Sequence, residues 1–76
     1  MVYLSEYRKL IEITRQEAAS CSVRLSAVLG RGRTKGVVEA RTRAIIRIRA
    51  ELPLSLAEIG VFFRRDHTTI LHALNK

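Results

Sequence analysis

The sequence predicts a small all-α domain, and three observations support that prediction. Apolar residues recur at three- and four-residue spacing along most of the 76-residue chain, as they do on one face of an amphipathic helix. Two segments begin with good helix N-caps, Ser55 and Asp66. No stretch shows the alternation of apolar and polar residues that is typical of a half-buried strand. A chain of this length suffices for one domain, so we treat residues 1–76 as a single unit.

The N-terminal part of the chain predicts two helices. The first begins at Tyr3 and has an apolar face formed by Tyr3, Tyr7, Leu10, Ile11, Thr14 and Ala18. The Ser-Cys-Ser sequence at 20–22 ends this pattern, and Ser22 is expected to cap a short second helix. That helix should end at Gly30, because glycine often terminates helices.

Residues 30–36 predict a flexible basic loop, because their sequence, Gly-Arg-Gly-Arg-Thr-Lys-Gly, contains no apolar side chain to bury. A third, long helix follows. Its apolar face consists of Val37, Ala44, Ile45, Ile48 and Leu52. We expect this helix to end before Pro53, which lacks the backbone N–H that a helix interior requires.

Residues from about 55 to 75 predict a helix-turn-helix. Ser55-Leu56-Ala57-Glu58 matches the capping-box pattern and begins a fourth helix that reaches about Phe63. Arg64 and Arg65 leave only a short connection before Asp66, which caps the last helix. Ile70, Ala73 and Leu74 lie on one face of that helix. Two short capped helices joined by a tight turn are the signature of this motif.

The charge of the chain is concentrated in its middle. The net charge is +7, and all of the excess lies between Arg24 and Arg49, where eight cations stand against the single acidic residue Glu39. Seven of the eight are arginines, which suit forked contacts with phosphate or guanine. This patch predicts a polyanionic partner, and a solvated charged face is the alternative interpretation.

The first turn of the last helix carries candidate base contacts: Asp66, His67, Thr68 and Thr69. A recognition helix enters the major groove of DNA with its N-terminal residues against the base edges, and short polar side chains can donate and accept hydrogen bonds there. The alternative is an ordinary surface helix with a capped start.

Basic residues elsewhere are candidates for contacts with the DNA backbone. Arg31, Arg33 and Lys35 alternate with small residues, which is typical of an arm that follows the phosphates or enters the minor groove. A solvated linker is the alternative. Arg43 and Arg47 are four residues apart and share a helix face, so they either contact one strand together or face solvent.

The run from Arg65 to Ala73, Arg-Asp-His-Thr-Thr-Ile-Leu-His-Ala, resembles the signature of the C-terminal DNA-binding domain of DnaA, the bacterial chromosomal replication initiator. Further matches are Ser55-Leu56, Ile59-Gly60, Phe63, Arg33-Thr34-Lys35 and Arg41. The resemblance covers roughly residues 3 to 76 and is strongest after Arg33. It implies a Trp-repressor-like fold, base contacts from Asp66 to Thr69, a minor-groove contact from Arg33, and backbone contacts from Lys35 and Arg41. Arg31, Arg47 and Arg65 complete the predicted backbone contacts.

The sequence departs from the family at several positions. Arg64 alone stands where the family has two glycines, so the turn is one residue shorter and lacks glycine, the residue that tolerates a positive φ. Ala40 and Thr42 replace the usual proline and glutamine. Gly32-Arg33-Thr34-Lys35-Gly36 lacks the Gly-Lys-Ser/Thr order of a phosphate loop, so we expect no ATP binding.

The function that these observations predict is sequence-specific binding of double-stranded DNA, by a stand-alone regulator of transcription or replication initiation in the cytoplasm, associated with the nucleoid. A homodimer or a protein partner would strengthen the binding of so small a motif. The alternative is an adaptor of the same fold that binds a replication or transcription protein. RNA binding is a weaker alternative because the chain lacks aromatic stacking platforms.

We expect no catalysis, metal, cofactor or membrane span. His67 and His72 are five residues apart, off the spacing that places two ligands on one helix face. Cys21 is the only cysteine, which excludes a disulfide within the chain. No apolar stretch is long enough to cross a membrane.

Overall fold

The structure is a computed structural model and describes residues 4–75. These residues form five helices and no strand. The helices are α1 (Leu4–Ser20), α2 (Leu25–Leu29), α3 (Lys35–Glu51), α4 (Leu56–Phe63) and α5 (His67–Leu74). The predicted all-α fold is therefore confirmed. Tyr3, where the first helix was expected to begin, lies outside the described residues.

The long helix α3 is the centre of the fold, because each of the other four helices packs against it. Every helix contributes fully buried apolar side chains to the core, among them Leu10, Val28, Ile45, Ile48, Ile59, Phe63 and Ile70. The polar Thr14 is also buried, and its hydroxyl donates to the carbonyl of Leu10 over 2.7 Å, so its burial leaves no unsatisfied donor. On α1, Ile13 takes the place in the core that the sequence pattern gave to Ile11, which is only half-buried.

The prediction that Ser22 caps α2 is wrong. Ser22 has a left-handed backbone (φ 57°) and terminates α1: its N–H donates to the carbonyl of Ala19, and the N–H of Val23 donates to that of Ala18. This is the pair of bonds that closes a helix C-terminus. An N-cap residue needs an extended backbone. The N-cap of α2 is therefore Arg24, whose side chain makes no capping hydrogen bond.

The loop between α2 and α3 is shorter than predicted. Gly30 ends α2 as expected, but α3 begins at Lys35, so the last two residues of the predicted loop 30–36 are helical. The remaining connection, residues 30–34, is called the basic loop below. At its other end α3 stops at Glu51, just before Pro53, as predicted.

The helix-turn-helix begins with the predicted capping box. The N–H of Glu58 donates to Ser55 Oγ (3.1 Å), and the N–H of Ser55 donates to Glu58 Oε1 (2.9 Å). Hydrogen bonds from Ser55 to the Glu58 carboxylate, first from its backbone N–H and then from its side chain, lower the pKa of Glu58. At the start of α5, the side chain of Asp66 accepts from the N–H of Thr68, which confirms its predicted role as N-cap.

The turn between α4 and α5 is closed in the same way as the end of α1. Arg64 has a left-handed backbone (φ 56°, ψ 44°), and the N–H of Arg65 donates to the carbonyl of Gly60 over 2.8 Å. A β-carbon at Gly60 would lie 2.5 Å from the Arg65 carbonyl oxygen, so this close approach requires glycine. The turn therefore needs one residue with positive φ, and an arginine occupies it at a cost of about 1 kcal/mol.

Candidate nucleic-acid interface

The four candidate base contacts lie together on the exposed first turn of α5. Asp66, His67, Thr68 and Thr69 are all exposed, and the next residue, Ile70, is completely buried. His67 Nδ1 lies 2.9 Å from Asp66 Oδ1, so the cap also touches the adjacent imidazole. Ile70 packs α5 against the core and leaves the polar side chains of the first turn exposed to solvent.

Arg41 holds the basic loop in place instead of pointing into solvent. Its Nε donates to the carbonyl of Val28 (2.9 Å), and its Nη2 lies within 3.1 to 3.3 Å of the carbonyls of Ala27, Gly30 and Gly32. Burial, followed by the nearby charge of Arg65, lowers the pKa of Arg41. The resemblance predicted a contact of Arg41 with the DNA backbone. In the structure its guanidinium instead bonds to protein carbonyls at the end of α2 and in the loop.

Arg65 joins the turn to the same loop. Its Nη1 donates to the carbonyl of Phe63 (2.7 Å), and its Nη2 donates to that of Gly30 (2.8 Å), an oxygen that Arg41 also contacts. Burial, followed by the charge of Arg31, lowers the pKa of Arg65. Loop carbonyls therefore accept hydrogen bonds both from the central helix and from the helix-turn-helix. A glycine-rich sequence alone does not predict these bonds.

Three of the predicted DNA-contacting cations, Arg31, Arg33 and Lys35, make neither an ion pair nor a side-chain hydrogen bond among residues 4–75, whereas Arg41 and Arg65 donate to backbone carbonyls. All three side chains are exposed. Arg65 links the loop to the turn, and Arg31 and Arg33 line one surface cavity with Arg64 and Arg65. The structure thus places the loop against the turn that leads into α5, while Lys35 lies at the start of α3.

Arg47 lies elsewhere. Its Nη1 is 3.0 Å from Glu17 on α1, and its Nε is 2.9 Å from Glu51. These two carboxylates, Glu51 first, raise the pKa of Arg47. Its neighbour Arg43 approaches Glu39 at 3.8 Å. Arg47 therefore joins α1 to α3, and the structure does not bring it to the other predicted backbone contacts.

Sequence reasoning missed two residues that shape this surface. Gly60 was noted only as part of a family match, and Arg64 only as part of the short connection and as a departure from the family. A glycine inside a helix, followed four and five residues later by two arginines, was the available signal for a close helix-turn contact.

A metal site and a membrane-spanning helix were also sought in the described part of the chain. Residues 4–75 contain no group of three His, Cys, Asp or Glu side chains placed to hold a metal ion. Among the same residues, no helix has the length and apolar character needed to cross a membrane.

The features assembled above define a class of protein. Two short capped helices joined by a three-residue turn, with an exposed polar turn on the second helix and a basic loop beside it, form a helix-turn-helix domain. More particularly, the chain belongs to the family described as bacterial dnaA protein helix-turn-helix, which matches residues 10–76.

Similar proteins include chromosomal replication initiator proteins of bacteria. The chain is 40% identical over 68 residues to the chromosomal replication initiator protein DnaA of Deinococcus radiodurans, covering 90% of this chain and 15% of that protein. It is 42% identical over 65 residues to the protein of that name from Roseiflexus castenholzii, covering 84% and 14%. The chain thus spans less than a sixth of the length of these relatives. No solved structure matches it.

Proposed function

We propose that this domain binds double-stranded DNA with sequence specificity. Asp66, His67, Thr68 and Thr69 contact base edges in the major groove, and Arg33 enters the adjacent minor groove. The observation that carries this proposal is that an exposed polar helix start directly follows a turn to which a basic loop without a carboxylate partner is hydrogen-bonded. Membership of the DnaA helix-turn-helix family supports the same conclusion.

The basic residues divide into three groups in this proposal. Arg31 and Lys35 contact the DNA backbone, since both are exposed and have no carboxylate partner among residues 4–75. Arg41 and Arg65 act mainly as positioning residues, because their guanidiniums hold the carbonyls of the loop and the turn. Arg47 stabilises the fold.

In the cell, we infer a cytoplasmic protein of the nucleoid that regulates replication initiation or transcription by occupying DNA sites. The name of the relatives, chromosomal replication initiator protein, supports replication as the process. A motif of this size makes few contacts, so a second copy or a protein partner would raise its affinity.

A protein-binding adaptor is the second candidate function, and one observation favours it. Val61 is 75% exposed and Tyr7 is 48% exposed, and both line an apolar groove together with Phe62 and Leu29. Exposed apolar groups that adjoin one another are typical of protein contacts. Retention of the domain on duplex DNA at physiological salt separates the two functions, since an adaptor would not be retained.

The base-contact role is tested by comparing binding to a selected site and to random duplex. We expect His67→Ala and Thr69→Ala to lose about 5- to 100-fold on the selected site and little on random DNA, because each good base contact contributes about 1–3 kcal/mol of discrimination. Lys35→Ala should weaken both equally. The control is Arg15→Gln, an exposed arginine on α1 that pairs with Glu12. Equal losses on both duplexes for the His67 variant would contradict the base-contact role.

A further inference from the structure

The region between the basic loop and the turn is a surface cavity of about 520 Å³ lined by arginines. Five arginines line it: Arg31, Arg33, Arg41, Arg64 and Arg65. No carboxylate lines it or pairs with any of these five among residues 4–75. So many like charges around one space repel one another, and a bound anion would relieve that repulsion.

Arg64 is the residue in this cavity that the fold itself does not explain. Its left-handed backbone is unfavourable for a residue with a β-carbon. Its exposed side chain makes no hydrogen bond or ion pair with any residue in the described range, so the turn uses its backbone and leaves its guanidinium available. Strained backbone of this kind is concentrated at binding sites.

The other arginines differ from Arg64 in what they contact. Arg41 and Arg65 form the wall of the cavity, because their guanidiniums are held by backbone carbonyls. Arg31 and Arg33 are exposed, like Arg64, and keep their donors available. The cavity therefore has a wall held by hydrogen bonds to the protein backbone, and three exposed arginines at its rim.

We propose that this cavity is a phosphate-binding site in which Arg64 and Arg31 hold one phosphate group. The inference rests on the proposed function for the source of that phosphate, which is the DNA backbone. When α5 occupies the major groove and the basic loop occupies the adjacent minor groove, the strand that separates the grooves passes between turn and loop. That is where the cavity lies.

The site is tested with Arg64→Gly and Arg64→Asn, both of which remove the charge and tolerate a left-handed backbone. We expect Arg64→Gly to raise Tm by a few degrees, since the strain disappears. Both variants should bind specific and random duplex more weakly to the same extent. The slope of log K against log salt should fall by about one unit, the value for one phosphate contact. Arg64→Lys should retain the slope, and Arg15→Gln is the control for loss of one exposed charge.

A second measurement uses inorganic phosphate and does not depend on DNA binding. At constant ionic strength, replacing chloride with phosphate should raise the Tm of the unmodified domain more than that of Arg64→Gly, because phosphate also stabilises folded proteins without binding a site. If phosphate acts in this way but DNA is not bound, the site stands with a free anion as its ligand and the proposed function fails. An equal change of Tm in phosphate for the unmodified domain and Arg64→Gly, together with an unchanged salt slope for both Arg64 variants, would overturn the proposal.

Discussion

Arg41 provides the sharpest test of how the basic loop is organised, because sequence and structure give it different roles. Replacement by glutamine removes the Nε bond to Val28 and the Nη2 contacts with the carbonyls of residues 27, 30 and 32. The three Nη2 contacts share one nitrogen, so we count the whole set as about two charge-assisted bonds. At about 1.5 kcal/mol each the loss is about 3 kcal/mol, reduced to about 2 kcal/mol because water can reach part of this half-buried group.

A loss of about 2 kcal/mol corresponds to a fall in Tm of about 8–16 °C for a domain of this size. Thermal unfolding followed by circular dichroism measures it. DNA binding should be measured well below the lowered Tm, and we expect weaker binding with little change in salt slope. The matched control is Arg43→Gln, two residues along the same helix, whose exposed pair with Glu39 should contribute less than about 1 kcal/mol. A Tm within 2 °C of the parent's, roughly the experimental scatter, with a salt slope reduced by one unit, would refute this account and make Arg41 a direct phosphate contact.

Three further predictions concern packing and charge. Gly60→Ala should destabilise the domain by about 1–3 kcal/mol in urea unfolding, because its β-carbon would lie 2.5 Å from a backbone oxygen; Gly36→Ala, whose β-carbon meets a side-chain methyl at 3.2 Å, should change stability by less than about 1 kcal/mol. Ser55→Ala should cost about 1 kcal/mol. The pKa of Glu58 is lowered in the folded domain, so its ionised carboxylate stabilises the fold fully above the ordinary pKa of 4.5. This stabilisation is lost as pH falls through the lowered pKa. Tm should therefore depend less on pH in this acid range in the Ser55→Ala variant than in the unmodified domain. Arg47→Ala should lower Tm with an unchanged salt slope for DNA, and a reduced slope would instead place it on the DNA.

The elements that sequence predicted well are those with local signals. The capping box at Ser55 and the cap at Asp66 involve residues two or three positions apart, so their patterns are visible in the sequence itself. The stop before Pro53 is equally local. Ser22 shows the limit of such signals, because a serine followed by an apolar segment does not reveal whether its backbone will be extended or left-handed.

The roles of the arginines depend on contacts between residues far apart in the chain. Arg41 meets carbonyls 9 to 14 positions away, and Arg47 meets a carboxylate 30 positions away. Helical spacing can show that two arginines share a face, but it cannot show which face meets α1 and which meets the loop. The sequence therefore located the exposed polar start of α5 and the loop cations, whereas the division into positioning and exposed arginines required the structure.

The central claim, that the first turn of α5 and the basic loop together recognise a DNA sequence, is tested most directly by selection of binding fragments from a random duplex pool. We predict enrichment of one sequence with two adjacent parts, a segment contacted in the major groove and an A·T-rich segment whose narrow minor groove accepts Arg33. The Arg33→Ala variant should lose the preference for the A·T-rich part and keep the other. A pool that shows no enrichment after repeated rounds, although the domain is folded and binds DNA, would contradict the claim and leave only charge-driven binding.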